Sequence, residues 1–110
     1  EMEKVISAGI EFDALYAHSD SMAMGARMAM SASGIDPRLV RIVGIDYIPE
    51  ARKAIKEGNQ SASFTYPTAG EQGAEAVLKI IHGESVEKEQ NIPFIRITEK
   101  NVNQVKTIFE

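Results

Sequence analysis

The chain has 110 residues, 44% of them hydrophobic and 25% charged, which fits one ordinary globular domain with a modest core. Its formal net charge is −4 and its basic residues are scattered singly, so no electrostatic footprint for DNA or RNA is present. It has no cysteine, which excludes disulfides, thiolate catalysis and cysteine-ligated zinc, and no apolar run reaches the roughly 18 residues of a membrane span.

In chain order, FDALYAH (Phe12–His18) reads as a short strand. DSMAMGARMAMSASG (Asp20–Gly34) reads as a helix rich in alanine and methionine and closed by glycine. Met22, Ala26, Ala29, Met30 and Ser33 make one stripe at helical spacing, expected to face the core, and Met24, Met28 and Ser31 make a second. A helix apolar on both sides implies a neighbour on both. VRIVGI (Val40–Ile45) is a β-branched strand, and PEARKAIKEG (Pro49–Gly58) is a helix with proline in its first turn and glycine past its end. SASFTY (Ser61–Tyr66) is a third strand. TAGEQGAEAVLKIIHG (Thr68–Gly83) is a third helix, whose Thr68 and Glu71 have the spacing of a capping box. A loop is expected over Gln90–Pro93, then a last strand over PFIRIT (Pro93–Thr98) and a short helix over 101–109. Alternating strands and helices predict an α/β fold with a parallel sheet and flanking helices.

In such a sheet ligands meet the carboxyl ends of the strands. That rule selects His18, Ser19 and Asp20 after the first strand, Asp46 and Tyr47 after the second, and Thr65 and Tyr66 after the third. Each has a structural alternative. Asp20 or Ser19 can cap the following helix. Asp46 can close an Asx-turn, Tyr66 can close the core, and His18 can pack without function. No G-x-S-x-G, H-E-x-x-H, Walker or G-x-G-x-x-G motif occurs, and His18 and His82 lack ligand spacing, so neither an enzyme nor a resident metal or cofactor is expected.

Three blocks in order, FDALYAHSDSMAMGARMAMSASG, VRIVGIDYIPEARKAIKEG and SASFTYPTAGEQGAEAVLKIIHGE, resemble the second lobe of type I periplasmic sugar-binding proteins. The ligand-binding domains of LacI-type repressors and the periplasmic sensor domains of some hybrid histidine kinases share the pattern. The resemblance implies a Rossmann-like lobe, with residues 1–9 as the tail of a preceding helix, and the whole chain 1–110 as one partial domain. It implies a small sugar or related polyol as ligand, bound by closure of two lobes. A transporter or sensor kinase would read the closed form, and the location would be periplasmic or extracellular. A LacI-type effector lobe, which would be cytoplasmic, is the near alternative; a flavodoxin-like enzyme or signalling module is the remote one.

Residue by residue, the resemblance makes Asp46 the acceptor of sugar hydroxyls. It sets Ser19 in place of the family's longer asparagine, and Asp20 on the aspartate that follows. Tyr66 stands where receptors often carry glutamine, and either Tyr66 or Tyr47 could stack on a sugar face. Tyr47 and Ile48 replace small family residues, so this loop is bulkier. A lone lobe is expected to bind weakly. Its uncovered apolar surface and strand edge are expected to favour a homodimer or a strand-exchanged dimer.

Overall fold

The computed structural model describes residues 1–108. Helix α1 (Met2–Ser7) leads through Gly9, at φ +67°, into β1 (Ala14–Tyr16). Helix α2 (Asp20–Ala32) follows, then a single 3-10 turn at Pro37–Leu39, β2 (Arg41–Val43), α3 (Pro49–Lys56), β3 (Ser63–Phe64), α4 (Gly70–Ile81) and β4 (Arg96–Ile97). The 3-10 turn, absent from the sequence-based expectation, is locally encoded. Asp36 accepts the Arg38 amide at 3.0 Å and forks onto the Arg38 guanidinium at 2.6–3.0 Å.

β1 and β2 pair in parallel, with Ala14 opposite Arg41 and Tyr16 opposite Val43. Parallel bridges from Val43 to Ala62 and from Asp46 to Thr65 carry the β3 segment alongside β2. β4 then pairs with β3 antiparallel, Ser63 opposite Ile97. The parallel expectation therefore holds for the first three strands and not for the fourth. The chain leaves β3 at its carboxyl end, and α4 buries none of its residues. Without a helix packed back across the sheet there is no crossover, so the strand re-enters from the end it left.

Two apolar clusters hold the layers. Ala17, Ala23, Met30, Val40 and Ile42 form the first, with α1 contributing Met2 and Ile6 at its edge. Tyr47, Ile55, Ile97 and Val102 form the second. The buried face of α2 is Asp20, Ala23, Ala26, Arg27, Ala29 and Met30. The core-facing stripe expected from the sequence holds at its centre, where Ala26, Ala29 and Met30 are buried, but its ends, Met22 and Ser33, are exposed, and in the second stripe Met28 and Ser31 are exposed as well. The small residues allow close approach to the sheet, and Asp20 and Arg27, seven residues apart, lie on that same inward face.

Helix boundaries follow local chemistry. Ser19 caps α2, its Oγ accepting the Met22 amide at 3.2 Å, and Gly58, at φ +77°, ends α3 behind Pro49 at its start. The capping box at α4 is not formed. That helix starts at Gly70 from a left-handed Ala69 with no side-chain cap, which places Thr68 before the turn and out of register with Glu71. Residues 99–105 form turns rather than the expected helix, whose end at Phe109 lies outside the described residues.

Exposed apolar surface is concentrated on α4, at Val77, Leu78, Ile80 and Ile81, and at Phe94. β1 has one sheet partner, so its other edge is open among the described residues.

Candidate functional site at the strand ends

Backbone hydrogen bonds bring the three strand ends together. The Asp20 amide donates to the Ile45 carbonyl at 2.8 Å, and the Asp46 amide to the Phe64 carbonyl at 2.9 Å. Ser19–Asp20, Ile45–Tyr47 and Phe64–Tyr66 thus share one edge of the sheet. His18 stands further along, exposed, with its ring 5.5 Å from that of Tyr16.

The centre of this edge is an unusual turn. Asp46 has φ +105° and Tyr47 φ +55°, two consecutive non-glycine residues in the left-handed half of the map. Each such residue costs on the order of 1–3 kcal/mol and persists only where its surroundings fix it. Here they do. The Tyr47 amide donates to Asp20 Oδ2 at 2.7 Å and contacts Ser63 Oγ at 3.2 Å. Ser63 Oγ donates to the same carboxylate oxygen at 2.6 Å, and Gln60 Nε2 donates to Asp20 Oδ1 at 2.7 Å. Behind Gln60, the Arg27 guanidinium donates to its Oε1. Burial lowers the Arg27 pKa, opposed by the attraction of Asp20 and then of Glu57.

Asp20 is only 1% exposed. Its carboxylate faces inward onto the turn and not outward to a ligand. Tyr47 also differs from the expectation of a ring free to stack: it is 0% exposed, and its hydroxyl donates to the Val102 carbonyl at 2.8 Å. The physical reason is its φ: the left-handed backbone swings the side chain under the turn into the second cluster. Tyr47→Phe should therefore destabilise the fold by about 1–2 kcal/mol, because the buried Val102 carbonyl loses its donor. Urea denaturation of the two proteins measures this, and equal midpoints would contradict the assignment.

Asp46 is the opposite case. Its side chain is half-buried, and its carboxylate has no hydrogen-bond partner among the described residues. Burial, and secondarily the negative charge of Asp20, hold its pKa above the ordinary carboxylate value. An acceptor that is partly desolvated and unpaired suits a ligand presenting several hydroxyl donors. Tyr66, 63% exposed, flanks a 460 Å³ cavity with Thr65, Phe64, Gln90, Asn91 and Phe94. Ser19 is committed to its cap yet remains half-exposed. His18 instead lines an 860 Å³ apolar groove between α1, β1 and α2, with Tyr16, Met22 and Met28. Asp46 lines neither cavity, so the larger groove lies away from the polar chemistry. No cluster of three metal-ligating side chains occurs among the described residues.

Arg27, Gln60 and Ser63 were not singled out from the sequence. Arg27 was detectable, as the one charged residue seven positions from Asp20 on a face otherwise alanine and methionine. Gln60 and Ser63 reach the turn through tertiary contact and carry no local signal.

Comparison with known proteins places these features in a family. The periplasmic binding protein domain family matches residues 1–85. A Rhizobium meliloti protein named for rhizopine binding is 40% identical over 103 residues, 92% of this chain and 33% of that protein. The ribose import binding protein RbsB of Bacillus subtilis is 32% identical over 101 residues, 90% of this chain and 32% of its own length. An ABC transporter solute binding protein from Bacillus halodurans, solved with bound myo-inositol, superposes with a TM-score of 0.81 at 33% identity, over 94% of this chain and 36% of that one. The fructose binding periplasmic domain of a hybrid two component system also superposes at 0.81, with 26% identity, 92% of this chain and 34% of that one. The chain thus spans about a third of the length of these relatives. With a family match over residues 1–85, a Rossmann-like lobe and its polar strand-end turn, the chain belongs to the periplasmic binding protein domain family.

Proposed function

We propose that this chain is the second lobe of a two-lobed receptor for a sugar or related polyol, and that Asp46 accepts hydroxyls of the ligand. The observation that carries this reading is the unpaired, half-buried Asp46 carboxylate at the junction of three strand ends, in a chain of this family. On the same edge of the sheet, Tyr66 supplies an exposed ring and Ser19 a short polar side chain. The action is binding and closure without bond chemistry. Ligand favours the closed form by its differential affinity for it, and a transporter or sensor kinase reads that form in the periplasm. The relatives named for ribose import and the solved domain from a two component system support those two outputs equally.

One lobe holds only part of the contacts, so affinity should be weak. Saturation-transfer NMR with D-ribose, myo-inositol and D-fructose is expected to give saturable transfer to at least one of them in the millimolar range. No transfer to any of the three would contradict the receptor reading, and a sub-micromolar Kd by calorimetry would contradict the half-site. The exposed faces of α4 and the open β1 edge should also pair chains at high concentration. Light scattering is expected to show dimer, and a strictly monomeric mass would argue against that pairing.

A further inference from the structure

We propose that Asp20 is a positioning residue: its buried carboxylate grips the Tyr47 amide, with Ser63 and Gln60, and so holds the left-handed Asp46–Tyr47 turn that presents Asp46 to ligand. The part about presentation rests on the sugar-receptor reading above; the part about the turn stands on geometry alone.

Three donors converge on one carboxylate that is almost fully buried: an amide, a hydroxyl and a side-chain amide, at 2.6–2.7 Å. All three are donors, so the centre must be an acceptor on every side. A carboxylate meets that need; an isosteric carboxamide would turn an N–H toward another donor. Bonds to a charged acceptor are roughly twice as strong as neutral ones, which suits a centre that must hold two residues at positive φ. The charge itself is accommodated from two directions. Asp20 lies in the first turn of the 13-residue α2, where the helix dipole favours an anion, and Gln60 relays the field of Arg27 from the far side. The same carboxylate acts on the neighbouring side chain, since its charge helps raise the pKa of Asp46. Asp20 thus touches the recognition residue both mechanically and electrostatically without meeting the ligand.

The test uses the ¹⁵N-labelled 110-residue chain as wild type, Asp20→Asn and Ser63→Ala. Amide exchange at Tyr47 is compared with that of Ala17, whose amide is bonded to the Val43 carbonyl away from the turn. The H–N–Cα–H couplings of Asp46 and Tyr47 report their φ. Asp20→Asn is expected to accelerate Tyr47 exchange roughly tenfold or more relative to Ala17, to move both couplings, and to abolish shifts induced at Asp46 by D-ribose, myo-inositol or D-fructose. Ser63→Ala, which keeps the carboxylate, is expected to do the same to a smaller extent, and it carries the test should Asp20→Asn fail to fold. Parallel acceleration at Tyr47 and Ala17, or unchanged couplings, would overturn the proposal, since that is what a merely structural residue produces. If none of the three polyols shifts Asp46 in the wild type, the receptor reading fails and presentation fails with it. The exchange ratio then still decides whether Asp20 holds the turn.

Discussion

Gly44→Ala should lower the melting temperature by about 12–24 °C, from a loss of roughly 3 kcal/mol at about 4–8 °C per kcal/mol. A Cβ at this position would lie 2.2 Å from Asp20 Oδ1 and 3.2 Å from the Asp20 Cα. The first contact is far inside van der Waals range, and the carboxylate cannot retreat without breaking its bonds to Gln60, Ser63 and the Tyr47 amide. Overpacking and a disrupted buried charge therefore add. A domain of this size has about 5–15 kcal/mol in total, so the loss removes a large share of its stability. Gly25→Ala is the control. Gly25 lies exposed within α2 with nothing within 4 Å of its virtual Cβ, so alanine should stabilise by about 0.5–1 kcal/mol through helix propensity. Thermal denaturation followed by circular dichroism separates the two. A Gly44→Ala protein as stable as wild type would mean that the Asp20 network does not hold the sheet to α2.

Much of this architecture was legible from the residues. The strand-end rule brought Ser19, Asp20, Asp46, Tyr47, Thr65 and Tyr66 to one edge, because strand ends in a parallel sheet lie there whatever the loops do. The ends of α2 and α3 were legible because caps and glycines act locally. What local pattern could not show was direction. Asp20 and Tyr47 flank the same edge as Asp46, yet both turn inward, Asp20 from the first turn of α2 and Tyr47 through a left-handed backbone that tyrosine does not require. The antiparallel β4 and the uncapped α4 share a different cause. Their placement depends on what α4 packs against, and the described residues give it no buried face.

Asp46→Asn should abolish polyol binding while making the fold slightly more stable. Asparagine keeps the shape and tolerates positive φ, but it loses the charge that strengthens acceptance of hydroxyl donors. The stability change follows from the raised pKa. Between the ordinary carboxylate value and the raised one, the folded chain binds more protons than the unfolded chain, so stability falls as pH rises through that window. Above it the ionised Asp46 leaves a constant penalty, which Asn removes. Because the group is only partly buried, the gain is small, roughly 1–3 °C at neutral pH, and it should vanish in acid, where wild-type Asp46 is itself neutral. For the same reason, wild-type binding should weaken on acidification at a higher pH than an ordinary aspartate would give. A loss of stability in Asp46→Asn at pH 7 would show that the carboxylate serves the fold and not a ligand.

The most direct measurement is the ¹H–¹⁵N correlation spectrum of the chain titrated with D-ribose, myo-inositol and D-fructose. The account predicts shifts gathered at Asp46, Thr65, Tyr66 and Ser19, with none along the groove of Leu15, Met22 and Met28, and their loss in Asp46→Asn. Shifts confined to that groove, or none with any of the three, would contradict a sugar-binding edge centred on Asp46.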